Sequence, residues 1–254
     1  MPTRDTPWPA GTPCWVDLSV PDLQQAVRFY HAVLGWTFVD SGPEFGHYNI
    51  AQVNEKAVAG VGPVMSEGQP SFWTVYLATD DADTSAKLIT EHGGSMLFDP
   101  MDIADSGRMA VATDPTGGVF GIWQAVTMTG FGVYNEPGGL IWEDARLTDP
   151  ARGKQFYTDV FGYRYEPVPG APDDYGTFHL DGDALGGMGG MMGAPEDTPS
   201  HWLAYFCVAD ADAAVAAVEA ADGGVLRPAE TTPYGRMATV TDPFGAPFAV
   251  LQHP

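Results

Sequence analysis

Two aspartates 127 positions apart, Asp17 and Asp144, each stand two residues after a tryptophan, Trp15 and Trp142. Strand alternation sends residues two apart to one face, so each carboxylate shares a surface with an indole. A carboxylate on an apolar surface must find hydrogen-bond donors or take up a proton. Such a group can act as a general base when a cation nearby stabilises the developing negative charge. Arg108 and Arg236, two of only 11 basic residues and also at repeated positions, are the candidate anion stabilisers. These four form the candidate catalytic set. The structural alternative is that Asp17 and Asp144 accept hydrogen bonds from a backbone turn or from the two arginines. Trp15, Tyr76 and Trp123 in the first half, with Trp142 and Tyr205 in the second, are aromatic residues of predicted strands, and aromatic walls with few polar groups suit a flat or hydrophobic small molecule. The same rings would serve equally as a plugged, purely structural core.

The elements that position these residues are themselves repeated. Gly107-Arg108-Met109-Ala110-Val111-Ala112-Thr113-Asp114-Pro115-Thr116-Gly117 returns as Gly235-Arg236-Met237-Ala238-Thr239-Val240-Thr241-Asp242-Pro243-Phe244-Gly245 with eight of eleven residues identical. Phe29-Tyr30/Phe156-Tyr157, Gly35/Gly162, Trp73/Trp202, Phe120/Phe248 and Gln124/Gln252 keep the same register. The spacing is too long for a solenoid and right for two similar domains about a pseudo-two-fold axis. The boundaries fall at 12–125 and 138–252, with a Gly- and Pro-rich linker over 126–137.

Within the first domain the pattern predicts a strand over 13–20 and a helix capped by Asp22. Leu23, Ala26, Val27, Tyr30, Val33 and Leu34 give the helix one apolar stripe, which Gly35 ends, and three short strands follow. The order restarts at a strand over 72–79 and a helix over 81–92. Each domain is therefore read as two βαβββ units in an α+β fold. Asp114-Pro115-Thr116-Gly117 and its repeat are tight turns joining the last two strands of each domain.

Composition narrows the partners. Thirty-three acidic against 11 basic residues give a net charge of -22, which opposes nucleic acid and anionic membrane surfaces as partners. No apolar run approaches the ~18 residues of a membrane span, and the first residues lack signal-peptide character, so a cytoplasmic protein is expected. Cys14 and Cys207 are expected as reduced, buried thiols. The run from Leu185 to Gly193, rich in Gly and Met, suits a pocket rim and lacks the basic residue of a phosphate loop. No Ser, Cys or Thr nucleophile sits in a recognisable catalytic motif.

Paired βαβββ units, the Val20-Pro21-Asp22-Leu23, Phe29-Tyr30 and Leu34-Gly35-Trp36 sequence and the Asp-Pro-x-Gly turn resemble the vicinal oxygen chelate superfamily. That family includes glyoxalase I, extradiol dioxygenases, fosfomycin-modifying enzymes and bleomycin-binding proteins. The resemblance spans nearly the whole chain and implies two tandem domains whose concave faces are the functional surfaces, with Trp15, Tyr76 and Trp123 on the first and Trp142 and Tyr205 on the second as the candidate ligand-binding residues. Family metal ligands are His, Gln or Glu on the first and last strands of each unit. The matching positions here carry Trp15, Thr74, Gly121, Trp142, Leu203 and Ala249, none of which binds a hard or borderline cation. Glu143 would enter only with a one-residue register shift, and the six histidines show no ligand spacing. No metal and no cofactor is expected. The resulting expectation is metal-independent binding of a hydrophobic or aromatic small molecule, an antibiotic or secondary metabolite, by a monomer acting in resistance by sequestration or beside a tailoring enzyme. The alternatives are a metal-independent isomerase, cyclase or lyase using Asp17 or Asp144 as base, and a glyoxalase- or dioxygenase-like metalloenzyme.

Overall fold

A computed structural model describes residues 4–254. In the first domain β1 (Pro13–Val20), α1 (Leu23–Leu34), β2 (Thr37–Asp40), β3 (Asn49–Val53) and β4 (Lys56–Pro63) form one βαβββ unit. The second is β5 (Trp73–Ala78), α2 (Ala82–Glu91), β6 (Ser95–Ile103), β7 (Gly107–Thr113) and β8 (Val119–Ala125). The second domain repeats the series as β9 (Leu140–Arg146), α3 (Pro150–Phe161), β10 (Arg164–Pro167), β11 (Gly176–His179) and β12 (Gly186–Gly189), then β13 (His201–Cys207), α4 (Ala211–Ala220), β14 (Gly224–Thr232), β15 (Gly235–Thr241) and β16 (Pro247–Gln252).

Each domain is one eight-stranded mixed sheet, ordered β2-β3-β4-β1-β5-β8-β7-β6 and β10-β11-β12-β9-β13-β16-β15-β14. The first strand of every unit is central; its helix carries the chain to an edge strand, and two antiparallel turns bring the unit's last strand back parallel to the first, β4 beside β1 and β8 beside β5. The two units of a domain join through the antiparallel pairs β1–β5 and β9–β13. Tandem duplication of paired βαβββ units thus holds in the structure.

Local chemistry fixes the helices. Asp22, Asp81, Asp149 and Asp210 each accept the backbone N–H three residues ahead, a cap worth about 1 kcal/mol apiece. Gly35 and Gly162 end α1 and α3 at φ 71° and 78°, in the left-handed region that glycine enters freely. The repeated Gln124 and Gln252 have the same task, each accepting the first helical N–H of α2 or α4 at 3.0 Å.

The domains share one core. Phe29 of α1 meets Phe248 of β16 at 6.2 Å, and Phe120 of β8 meets Phe156 of α3 at 6.0 Å. The repeated tyrosine and the repeated turn lock together reciprocally: Tyr30 donates to Asp242 and Tyr157 to Asp114, both at 3.1 Å. The other oxygen of each aspartate holds its own turn, accepting from Thr116 and Gly118 or from Phe244 and Ala246. Both cysteines are free and buried, and burial pushes both thiols up. No helix among the described residues is long and apolar enough to cross a membrane.

Candidate functional site: an open cup in the second domain

Alternation along β9 places Trp142, Asp144 and Arg146 on the concave face, and alternation along β13 places His201, Leu203 and Tyr205 beside them. Asp144 is 2% exposed and binds four donors. Its Oδ1 accepts the Trp142 indole N–H at 3.0 Å and the Tyr175 hydroxyl at 2.8 Å. Its Oδ2 accepts the Tyr205 hydroxyl at 2.7 Å and the Arg146 guanidinium through Nη2, which also reaches the Tyr205 oxygen at 3.0 Å. A carboxylate has about four acceptor positions, and all are taken here. The general-base role expected of Asp144 therefore finds no free lone pair, and this group orients its neighbours instead.

Electrostatics agree with that arrangement. Burial opposes the Arg146 charge, but Asp144 and the surrounding phenols hold its pKa above the ordinary value. Burial and then the Asp144 charge push both Tyr175 and Tyr205 upward, so they stay hydroxyl donors. Burial, reinforced by the Arg146 charge, holds His201 below its usual range. Glu143 lies on the opposite face of β9, 3% exposed in the core, where burial raises its pKa far above the ordinary carboxylate value. It does not enter the cup, so the register alternative fails.

The glycines of the second domain make room for this cluster. A Cβ on Gly187 would stand 2.0 Å from both Asp144 Oδ1 and the Tyr175 hydroxyl. Gly187→Ala is expected to lower stability by about 1–3 kcal/mol and to expel Tyr175 from Asp144, since overpacked sites relax by moving what they can. Denaturant unfolding with tyrosine accessibility measured by nitration checks this. An unchanged midpoint would mean that the bond between Tyr175 and Asp144 carries little stability.

Around the cluster lies a cleft of about 1530 Å³, walled by Ile141, Trp142, Leu203, Met191, Met192, Met237 and Tyr234. Leu226 and Tyr234 stand more than half exposed at its edge. The Met-Gly run thus supplies part of the wall, and Arg227 ties its rim by donating to the Met192 carbonyl.

The first domain repeats the cluster without the opening. Trp15 donates to the Tyr48 hydroxyl at 3.1 Å, and Tyr48 and Tyr76 donate to Asp17 Oδ2 at 3.4 and 3.0 Å. Tyr48 and Tyr175, Gly60 and Gly187, and Gly62 and Gly189 keep the same 127-residue offset. At the place of Arg146 stands Ser19. The segment after β8 crosses this concave face: Phe131 donates its N–H to the Cys14 carbonyl and Gly132 to that of Ala57. The Phe131 ring lies 5.9 Å from Trp15, with Trp8 edge-on behind it. Trp15, Tyr76 and Trp123, read as ligand-binding, are buried at 3%, 5% and 8% and line no part of the large cleft. Trp123 instead donates to the Met128 carbonyl.

Arg108 and Arg236 join neither carboxylate, contrary to expectation. Arg108 pairs with Asp83 of α2 and with Asp102, and Arg236 with Asp212 of α4. Register explains this, because Arg108 sits opposite Gln124, whose side chain faces the α2 N-terminus. Both arginines thus face the helices. The residues that sequence reasoning missed are Arg146, Tyr48, Tyr175 and His201.

The positions at which the fold takes metal ligands hold Trp142, Leu203 and Ala249 in the open cup, and the guanidinium of Arg146 already supplies the positive charge beside Asp144. A divalent cation has no donor set there, and among the described residues no three His, Cys, Asp or Glu side chains converge. The residues do not fit a metal centre.

The model of the Glyoxalase/Bleomycin resistance protein/Dioxygenase superfamily matches residues 14–122 and 144–250, and the chain belongs to that superfamily. It is 38% identical over 259 residues to the Mycobacterium tuberculosis protein named "Putative glyoxylase CFP32", covering 99% of this chain and 98% of that one. It is 34% identical over 264 residues to the anthracycline biosynthesis protein DnrV of Streptomyces peucetius, covering 95% and 93%. Among solved structures, the Mn(II)-bound glyoxalase of Novosphingobium aromaticivorans matches with a TM-score of 0.68 at 12% identity, over 96% of this chain and 82% of that one. The 2,3-dioxygenase LapB of Pseudomonas sp. KL28 gives 0.66 at 15% identity, over 99% and 95%. Both share the tandem fold.

Proposed function

We propose that this chain binds a hydrophobic, aromatic small molecule in the cup of the second domain, without a metal, as a monomer whose duplicated domains supply both halves of the family interface covalently. The observation that carries this reading is a large cleft with aromatic and methionine walls and a fixed polar cluster at its base, a composition suited to ligand recognition. The similarity to an anthracycline biosynthesis protein supports an aromatic secondary metabolite as the ligand class, held for sequestration or presented to a tailoring enzyme. The similarity to a protein named a glyoxylase is matched by no metal-binding donor set among the described residues, so a metal-dependent reaction is not favoured.

A thermal-shift screen against polycyclic aromatics tests the proposal. A ligand that binds only the folded chain raises its stability by RT ln(1 + [L]/Kd), about 2.7 kcal/mol at a hundredfold excess over Kd. Binding is expected to quench tryptophan fluorescence, and Trp142→Ala is expected to weaken it at least about tenfold while Trp15→Ala leaves it unchanged. Loss of affinity in Trp15→Ala alone would move the site to the first domain, and a screen without any stabilising ring system would remove the reading.

A further inference from the structure

Arg146 uses its guanidinium unevenly. Nη2 serves both Asp144 and Tyr205, while Nη1 is buried and meets no acceptor. A buried donor left without a partner is costly, and in a residue that lines a cleft it marks where an acceptor from outside belongs. The repeat sharpens this. Both domains keep the tryptophan, the aspartate and the two tyrosines, but only the open cup has the arginine, where the crowded cup has Ser19. The shared four residues are therefore framework, and the arginine goes with the opening.

We propose that Arg146 is the specificity residue of the cup and that Nη1 receives a neutral carbonyl oxygen of a planar aromatic ketone or quinone. This rests on the reading of the cup as a ligand site. Charge selects a neutral oxygen over an anion. The Asp144 carboxylate already balances the guanidinium, His201 is held toward its neutral form, and the chain carries a net charge of -22, so a second anion would be uncompensated. Shape selects the ring system. The walls between Trp142 and Met237 are apolar, so flat rings replace water there while one oxygen reaches the guanidinium at the base.

Anthraquinone, anthracene and anthraquinone-2-carboxylate, titrated by tryptophan quenching into the full chain and its Arg146→Lys variant, separate the possibilities. Lysine keeps a positive charge for Asp144 but loses the planar fork and its second arm. The native chain is expected to bind anthraquinone about tenfold more tightly than anthracene, the scale of one hydrogen bond to a charged group, and more tightly than the carboxylate. Arg146→Lys is expected to bring the ratio of quinone to anthracene affinity to about one, with near-UV circular dichroism and retained anthracene binding showing that the variant has a folded cup. Equal affinity for quinone and hydrocarbon in the native chain, a preference that survives in the lysine variant, or tighter binding of the carboxylate overturns the assignment with the binding site intact. If none of the three ring systems binds, the cup reading itself fails and this assignment with it.

Discussion

Asp144→Asn is expected to lower the stability of the chain by roughly 3–5 kcal/mol and to abolish ligand binding, one of the largest effects available to a single substitution here. The carboxylate accepts from an indole, two phenols and a guanidinium, two donors on each oxygen. Asparagine keeps the shape but replaces one acceptor oxygen by an amide that donates, so two of the four donors lose their acceptor and meet another donor. The Arg146 charge, nine-tenths buried, is left without its counter-ion as well. Urea unfolding of the two proteins at pH 7 checks this. A cost below about 1 kcal/mol would mean that the cluster rearranges freely around residue 144, and that Asp144 is available for other work, including proton transfer.

The framework of this cup was legible in the sequence and its opening was not. Four helix-capping aspartates, the 127-residue offset and the Trp-x-Asp pairs follow from residue types and spacing, and the structure uses each as its chemistry dictates. Arg146 was within reach, since it lies two residues beyond Asp144 and alternation alone sends it to the same face. Tyr48 and Tyr175 precede their strands, outside any alternating run, so only their shared offset with Gly60 and Gly187 betrays them. Arg108 and Arg236 show the reverse error: repetition marked them, yet repetition preserves the helix-side ion pairs of a duplicated domain as faithfully as a site. Which cup is open depends on where the segment after β8 lies. That path is set by Phe131 packing onto Trp15 with Trp8 behind it, a tertiary outcome that no local pattern encodes.

The half-buried Asp17 makes the opposite prediction from its counterpart. Burial lifts its pKa from 3.8 to about 7, with the Tyr76 and Tyr48 hydrogen bonds opposing that rise, and no guanidinium stands beside it as Arg146 does beside Asp144. A folded-state pKa above the unfolded value means that the folded chain binds the extra proton, so the contribution to stability is present in full below about pH 4 and is lost as pH rises through 7. Three units correspond to at most about 4 kcal/mol, less whatever solvent screens at a partly exposed site. Both phenols donate to one oxygen, which an amide retains, so Asp17→Asn keeps the cluster and removes the titration. The variant is expected to exceed the native chain in stability by no more than about 1 kcal/mol near pH 4.5 and by roughly 2–4 kcal/mol at pH 8. The pH dependence that remains belongs to Glu143 and Asp242, whose pKa values burial also raises, and to His201, whose pKa burial lowers. Unfolding free energies at the two pH values give the comparison. Parallel curves for variant and native chain would show that Asp17 is ionised throughout, with solvent reaching it past Phe131, and the first cup would then be open as well.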